Sequence, residues 1–326
     1  MQTASTSPLV KSNHIRKVDL ARDLDPVADL IEMCFPIHLD RDGQTYIQQM
    51  RKAARDMRIM GWISSMSEFA GKRNSGFIWE EDGRVIGNLS LIPFSQSGRI
   101  FHMIANVAVH PNHRQRGIGR ALTERALGYL RRRGETYAWL QVRDDNPVAY
   151  QLYSSLGFTD RASRTTWHIC PHEMKAGVLD PAYAVNLRRR HQDDWAAQKD
   201  WLDIQYPLQI RWNLPVNFTR FEPGFLQGAS NISEGLHFRH WAVEFGGSLS
   251  GVISWQKTNS FANILWMALS NEIEERTLTS GLALVLKHLS RKHPISVDLS
   301  KGQFRETFKS LGFHEFRTLI WMRCEL

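Results

Sequence analysis

The chain has 326 residues, 42% of them hydrophobic and 23% charged, with 41 Lys and Arg against 33 Asp and Glu for a formal charge of +8. This is globular composition with enough length for two ordinary domains. No apolar run approaches the roughly 20 residues of a membrane span, and the polar start lacks the charged and apolar regions of a secretion signal.

Three separated cysteines, Cys34, Cys170 and Cys324, with no CxxC between them, encourage neither a disulfide framework nor a zinc site and fit a reducing cytoplasm. The positive charge suits a polyanionic ligand. Two basic runs, Arg131-Arg132-Arg133 and Arg188-Arg189-Arg190, read as solvated helix faces. No nucleic-acid-binding motif accompanies them, so neither nucleic acid nor membrane is expected as a partner.

Residues 1–12 read as a flexible tail. Residues 14–18 are extended. Residues 25–35 carry Val27, Leu30, Ile31 and Phe35 at helical spacing, and Pro36 closes that helix. A more polar helix covers 43–60, and the loop before it holds His38, Asp40 and Asp42. Residues 75–93 form a hairpin around Glu81-Asp82-Gly83. Residues 101–109 are a strand with Phe101, Met103, Ala105, Val107 and Val109 alternating onto one face. A polar loop then leads into a long helix over 117–133, ended by Gly134. Residues 137–142 are strand, 147–156 a short helix ended by Gly157, and 158–169 the closing strand. The order β-α-α-β-β-β-α-β-α-β specifies an α/β domain with a mixed sheet.

Pro171 and Pro181 mark a linker over 171–182, which separates a first domain at 13–170 from a second at 183–326. The second domain repeats the first. Gly83 and Gly87 return as Gly247 and Gly251, and Leu156-Gly157-Phe158 returns as Leu311-Gly312-Phe313. Arg164-Thr165 with Trp167 returns as Arg317-Thr318 with Trp321, and the Gly117 helix corresponds to residues 278–289.

The informative segment runs from Asn106 to Leu122. A strand enters a basic, glycine-containing loop that opens a long helix. A helix start offers unpaired N–H groups and the positive end of the dipole, which together suit phosphate. Gly117 and Gly119 remove side chains so that a pyrophosphate can approach, and Arg114, Arg116 and Arg120 add charge. Two glycines alone are equally compatible with a tight turn.

The full pattern resembles the GNAT (Gcn5-related N-acetyltransferase) family, whose signature is Arg/Gln-x-x-Gly-x-Gly/Ala after a Val-Ala-Val-type strand. Here Arg114, Gly117 and Gly119 follow Val107-Ala108-Val109. The family's downstream pattern, Asn-x-x-Ala-x-x-x-Tyr-x-x-x-Gly-Phe, is met by Asn146, Ala149, Tyr153, Gly157 and Phe158. The resemblance covers roughly residues 14–170.

Together with the internal repeat, it implies two GNAT-like domains, each a mixed, mostly antiparallel sheet flanked by helices. It also implies acetyl-CoA as co-substrate, with the backbone of Val107, Ala108 and Val109 pairing with the pantetheine arm. Gln115, Arg116, Gly117, Ile118, Gly119 and Arg120 would wrap the pyrophosphate beside Arg114. Asn146 would hydrogen-bond the cofactor, and Tyr153 would protonate the leaving thiolate. A tyrosine hydroxyl is a proton donor at neutral pH, although half-buried packing is the alternative role for such a ring.

On the amine side, enzymes similar to the protein N-terminal acetylases carry Glu at the position of Gln141, and an amide cannot act as a base. Gln141 is expected to orient water or substrate. Asn106, His38 and Asp40 are further candidates for the acceptor side, as is His102; each has a plain surface or strand role as its alternative. His110 and His113 form an HxxH without a third ligand, so no metal is expected.

In the second domain the corresponding loop carries Glu272, Glu274 and Glu275 and no glycine, and Phe308 replaces the tyrosine. That copy is expected not to use acetyl-CoA; in tandem members of the family a degenerate copy often helps form the acceptor cleft. The expected function is transfer of an acetyl group to a primary amine of a small molecule or peptide. The alternative is a non-catalytic acyl-CoA-binding module.

Overall fold

In the computed structural model the described residues are 14–35, 41–60, 75–96, 98–174, 185–289 and 292–326. The chain forms two compact units. One comprises Met1–Val142, Asn146–Asp160 and Trp321–Leu326, the other Arg143–Asp145 and Arg161–Ile320. The limits drawn from sequence, 13–170 and 183–326, cut the chain differently. Residues 161–169 fold into the second unit, and the last six residues of the sequence fold into the first. The expected tail, 1–12, and residues 175–182 of the expected linker lie outside the described residues.

The first unit begins with β1 (Ile15–Lys17), α1 (Leu20–Cys34) and α2 (Arg41–Met60). Antiparallel strands β2 (Ser75–Glu81), β3 (Arg84–Gln96) and β4 (Arg99–Val109) come next. Then come α3 (Ile118–Arg132), β5 (Tyr137–Arg143) and α4 (Pro147–Ser155). The strands are ordered β1-β2-β3-β4-β5, and the segment Trp321–Leu326 lies next to β5, where Trp321 packs edge-on against Trp139.

Helix α1 starts earlier than periodicity suggests, because the Asp19 side chain accepts from the Ala21 N–H and caps it. Pro26 therefore sits inside the helix instead of opening it, at the loss of one backbone hydrogen bond. The apolar face of α1, with Leu24, Val27, Ala28 and Ile31, packs on Ile47, Met50 and Ala54 of α2 and on Ile78 of β2.

The second unit contains residues 161–169 of β6 (Thr159–Ile169), β7 (Asn186–Arg189), α5 (Trp195–Gln205), α6 (Leu208–Arg211) and α7 (Phe225–Ser233). It continues with β8 (Phe238–Phe245), β9 (Ser248–Gln256), β10 (Asn263–Leu269) and α8 (Glu275–His288). It ends with β11 (Ile295–Ser300), α9 (Arg305–Ser310) and the first part of β12 (His314–Glu325). Its order is β6-β11-β10-β9-β8-β7, antiparallel except for the parallel pair β10 and β11.

The two basic runs part company. Arg131, Arg132 and Arg133 are exposed at the end of α3, as expected. Arg188 and Arg189 instead lie on strand β7, not on a helix face.

Each unit also carries the same ionic knot, which the sequence comparison missed. In the first, Arg16 binds Asp23 through two contacts of 2.6 and 2.7 Å and Glu80 at 2.6 Å. In the second, Arg188 binds Asp194 at 2.7 and 2.8 Å and Glu244 at 2.6 Å. In both, the aspartate also accepts a backbone N–H, from Asp19 or His191. An arginine on the first strand of each half is thus tied to the start of the next helix and to the neighbouring strand.

Arg188 holds both Asp194 and Glu244 below the usual carboxylate range. Such pairing stabilises the fold above the unfolded carboxylate pKa values near 4 and is lost as pH falls through the lower folded values. Arg188→Met should therefore cost about 2 kcal/mol at pH 7, between an exposed pair and a fully buried one. The cost should shrink at pH 3. Urea unfolding at both pH values checks this, and an equal cost at both would exclude an ionic origin.

Candidate active site

Strand β4 and the start of α3 form the core of the site. His110 caps a 3-10 turn over Pro111–His113, its ring accepting from the Asn112 N–H. Beyond that turn Gln115 and Gly117 both take left-handed backbone, with φ of 61° and 75°. For Gln115 this is uncommon and costs energy; for Gly117 it does not. Gly117 is the N-cap of α3 and gives it no side-chain hydrogen bond. The first helical bond runs from Ala121 N–H to the Gly117 carbonyl. The N–H groups of Ile118, Gly119 and Arg120 are thereby left at the positive end of the helix, a ready anion site.

A Cβ placed on Gly119 would meet Leu152 at 3.5 Å, which is ordinary contact. The fold itself does not require glycine there. Its lack of a side chain keeps the helix start open.

The three arginines are all exposed but differently engaged. Arg114 donates from Nε to the Val109 carbonyl at 3.2 Å. Arg120 donates to Ser155 Oγ at 2.6 Å. Arg116 is paired with Glu81 at 2.8 Å and touches His113 Nδ1 at 2.7 Å. The Trp79 indole and Arg116 together keep Glu81 below the usual carboxylate range. Of the three expected phosphate-side cations, Arg114 makes no ion pair among the described residues, while Arg120 lies 3.7 Å from Glu124.

Strand β4 departs from the simple alternation expected. It is parallel to β5 only from His102↔Ala138 to Ile104↔Leu140. On its other side the register with β3 shifts between Ser90↔Ala105 and Asn88↔Ala108, so β4 holds one extra residue there. Asn106, in this bulge, has φ of 51°. A bulge bends a strand and re-aims its side chains. Phe101, His102, Ile104 and Ala108 are the buried residues, whereas Val107 and Val109 are half-buried, so the expected odd-numbered face is corrected. His102 is not available as an acceptor-side group: it is buried and bonded to Glu135 at 2.8 Å. Asn88 Nδ2 donates to the Asn106 carbonyl, and the Val109 carbonyl accepts from Arg114 and from the Cys34 thiol.

Gln141 lies on β5, half-buried, one residue past the end of its ladder with β4. Asn146 caps α4, its Oδ1 accepting from the Ala149 N–H at 3.1 Å. Tyr153 is the buried residue of α4, edge-on to Phe158. Burial pushes its hydroxyl pKa well up, and the hydroxyl has no hydrogen-bond partner among the described residues. Burial thus favours the neutral hydroxyl of Tyr153.

Sequence reasoning missed a polar group beside β4. Asn106 Nδ2 donates to Tyr46 Oη at 3.2 Å and approaches Ser90 Oγ at 3.5 Å. Tyr46, Asn88 and Ser90 line a small cavity of about 40 Å³ whose other walls include Leu24, Val27 and Met50. The one legible signal was two asparagines within strands, where that residue is depleted. His38 and Asp40 lie outside the described residues; Asp42 is in α2.

The second unit lacks these features at the corresponding elements. Helix α8 has Glu274 as N-cap and Glu275 in its first turn. The β9–β10 ladder runs without a shift from Ile264↔Gln256 to Leu269↔Gly251. Phe308 is fully buried and stacked on Trp167.

Residues 27–158 match the acetyltransferase (GNAT) family. A stretch of 63 residues is 41% identical to the alanine N-acetyltransferase of ribosomal protein bS18 from Escherichia coli, covering 19% of this chain and 43% of that enzyme. Another of 89 residues is 37% identical to mycothiol acetyltransferase from Beutenbergia cavernae, covering 27% of this chain and 29% of that one. The chain thus spans less than half the length of these curated relatives.

Among solved structures, a tandem GNAT protein from the clavulanic acid biosynthesis pathway aligns over 95% of this chain and 98% of its own, with 17% identity and a TM-score of 0.51. A GCN5-related N-acetyltransferase from Sphaerobacter thermophilus aligns over 96% of both chains, with 13% identity and a TM-score of 0.58. These likenesses show the fold, and within it residues 27–158 are similar to the GNAT family of acetyltransferases.

Proposed function

We propose that the chain is an acetyl-CoA-dependent N-acetyltransferase acting on a primary amine of a small molecule or peptide. The observation that carries this reading is the uncapped start of α3, opened by left-handed Gln115 and Gly117 directly after the bulged strand β4. The helix start fits a pyrophosphate, because Gly119 leaves open the space a side chain would fill. Ile118, Gly119 and Arg120 would hold it through backbone N–H groups, with Arg114 and Arg120 adding charge. The β4 backbone at Val107, Ala108 and Val109, past the end of the β5 ladder, would hold an extended arm. The Asn146 amide would donate to the same ligand.

Bound acetyl-CoA supplies the thioester. Tyr153 donates a proton to the departing sulfur. Burial raises its pKa and thus disfavours phenolate, so the proton stays in place across the working pH range. Gln141 and the Tyr46–Asn106 pair orient the amine or a water that accepts its proton.

Acceptors of both kinds occur among the relatives, as a ribosomal-protein alanine and mycothiol chemistry in their names indicate. The three unpaired thiols support a reducing, cytoplasmic setting. Gln141, an amide in place of an expected carboxylate, favours a second reading in which the domain binds acyl-CoA without turnover. The second unit, with acidic Glu274 and Glu275 at its helix start, is read as a degenerate copy.

Gly119→Glu should lower acetyl-CoA affinity by about 100-fold or more through sterics and charge, while Gly119→Ala keeps it within a few-fold. Calorimetry on folded variants checks both, and unchanged affinity in Gly119→Glu would remove the phosphate site. The same titration of the wild-type chain should return one acetyl-CoA per chain; two equivalent sites would show that the second unit is competent.

Tyr153→Phe should leave acetyl-CoA affinity unchanged and lower kcat about 100- to 10,000-fold. In the wild type, Tyr153 should cause no fall in kcat/KM as pH rises to about 9, since its pKa lies above the ordinary value near 10. A pH–rate series with an acceptor amine tests this, and full activity in Tyr153→Phe would exclude the proposed acid. Cofactor binding by the wild type without turnover of any amine in a broad panel would favour the second reading.

A further inference from the structure

The Arg188-Arg189-Arg190 run is not absorbed by the proposed acetyl transfer, and it ends at a wide recess of the second unit. The recess, about 790 Å³, is within the usual range for small-ligand sites. It is walled by the end of β7, the start of β8, the residue after β9 and the turn at Glu222–Gly224. Its lining includes the cations Arg189, Arg190, Arg220, Arg239 and Lys257, against one carboxylate, Glu222.

The nearby acids are already committed. Asp194 and Glu244 are both bound by Arg188, and Glu234 is bound by Arg220 at 2.7 Å. Arg189, Arg190, Arg239 and Lys257 make no ion pair among the described residues. Arg190 is half-buried, yet it donates only to neutral acceptors, Gln198 Oε1 at 2.8 Å and the Phe221 carbonyl at 2.6 Å. Burial pulls its guanidinium below its usual pKa, the signature of a cation held without full compensation.

Beside it His240 is bonded through Nδ1 to Ser254 at 2.7 Å, and burial together with Arg190 lowers its pKa to about 3. The imidazole is therefore a neutral floor and not a source of charge. Asp194 offsets the burial of Arg190 only in part; holding such a cation costs folding energy, and a bound anion would supply the missing charge.

We infer that this recess binds a small molecule bearing two or more phosphate groups. Arginine matches phosphate geometry, and several converging cations favour a ligand with several charges. Phe238 and Trp255 also line the recess, and Arg239 stacks over the Trp255 ring at 5.4 Å, which leaves an aromatic wall for the rest of the ligand. The cations converge on one recess instead of tracking along a face, which distinguishes this site from a nucleic-acid surface. The inference does not depend on the acetyl-transfer reading, because it concerns the second unit alone.

The test uses the full chain and tripolyphosphate as probe, with inorganic phosphate and a short DNA single strand of about 20 nucleotides, longer than one binding fold covers, as comparisons. Binding is read by calorimetry at low and at physiological salt. Tripolyphosphate should bind at least about tenfold more tightly than phosphate, since it can meet several arginines at once. Arg239→Glu with Lys257→Glu, both exposed and so compatible with folding, should weaken it by about tenfold or more through reversed charge while leaving acetyl-CoA affinity unchanged. Gly119→Glu should leave tripolyphosphate binding intact. Absence of binding in the wild type overturns the inference. So does binding that Gly119→Glu abolishes and the double variant retains, since the probe would then sit at the α3 loop. Tighter binding of the oligonucleotide, lost in the double variant, would replace the small-molecule ligand with nucleic acid.

Discussion

Parallel pairing of β4 with β5 is the constraint on which the site depends. Two parallel strands cannot be joined by a tight turn; the chain must travel back along the sheet before the second strand can start. Helix α3 makes that return, so its N-terminus necessarily comes after the end of β4. The β4 backbone and the helix dipole are thus delivered to the same place by topology, before any side chain is chosen. The second unit shows that topology is not sufficient. There β10 and β11 are also parallel and α8 makes the same return, but the strand has no bulge and the helix start is acidic. Three local details distinguish the halves: the left-handed pair Gln115 and Gly117, the bulge at Asn106, and an open position at Gly119.

The elements that were legible in sequence are those with a local physical cause. Helical spacing located α2, α3 and α4 to within two residues, and glycines 134 and 157 marked the ends of the last two. The Asp82-Gly83 turn joined β2 to β3. The loop that opens α3 was legible because its glycines and arginines are contiguous. The start of α1 was less so, since Pro26 imitates a first helical residue while Asp19, well before the expected start, supplies the real cap. The bulge was hidden because period-two alternation has no symbol for an inserted residue. Tyr46, Asn88, Ser90 and Asn106 meet only through tertiary contacts across α2, β3 and β4, and no local pattern brings such residues together. The same reason hid the membership of the two closing strands: their alternation says that they are strands, but not which sheet receives them.

Electrostatics obey two separate designs. The knots at Arg16 and Arg188 pair a cation with two carboxylates and serve the fold. Their recurrence at matching places supports an origin of the two halves by duplication more directly than the scattered sequence matches do, because three residues distant in sequence must be kept together. The arginines at the α3 loop and in the second unit's recess are instead left partly unpaired. Arg114 at the loop and Arg189, Arg190, Arg239 and Lys257 at the recess are among the cations without an ion pair among the described residues.

The assignment of Trp321–Leu326 to the first unit reaches into biosynthesis. A domain made from one contiguous stretch can close while the ribosome is still translating the remainder of the chain. This unit cannot. Its β5 waits for a neighbour encoded after the whole of Arg161–Ile320, and Trp139 waits for Trp321. During translation the first unit would hold an open sheet edge, a site at which nascent chains are prone to mispair. Its maturation is thereby timed by completion of the other half, so that an interrupted transcript yields no half-size protein with a finished first unit.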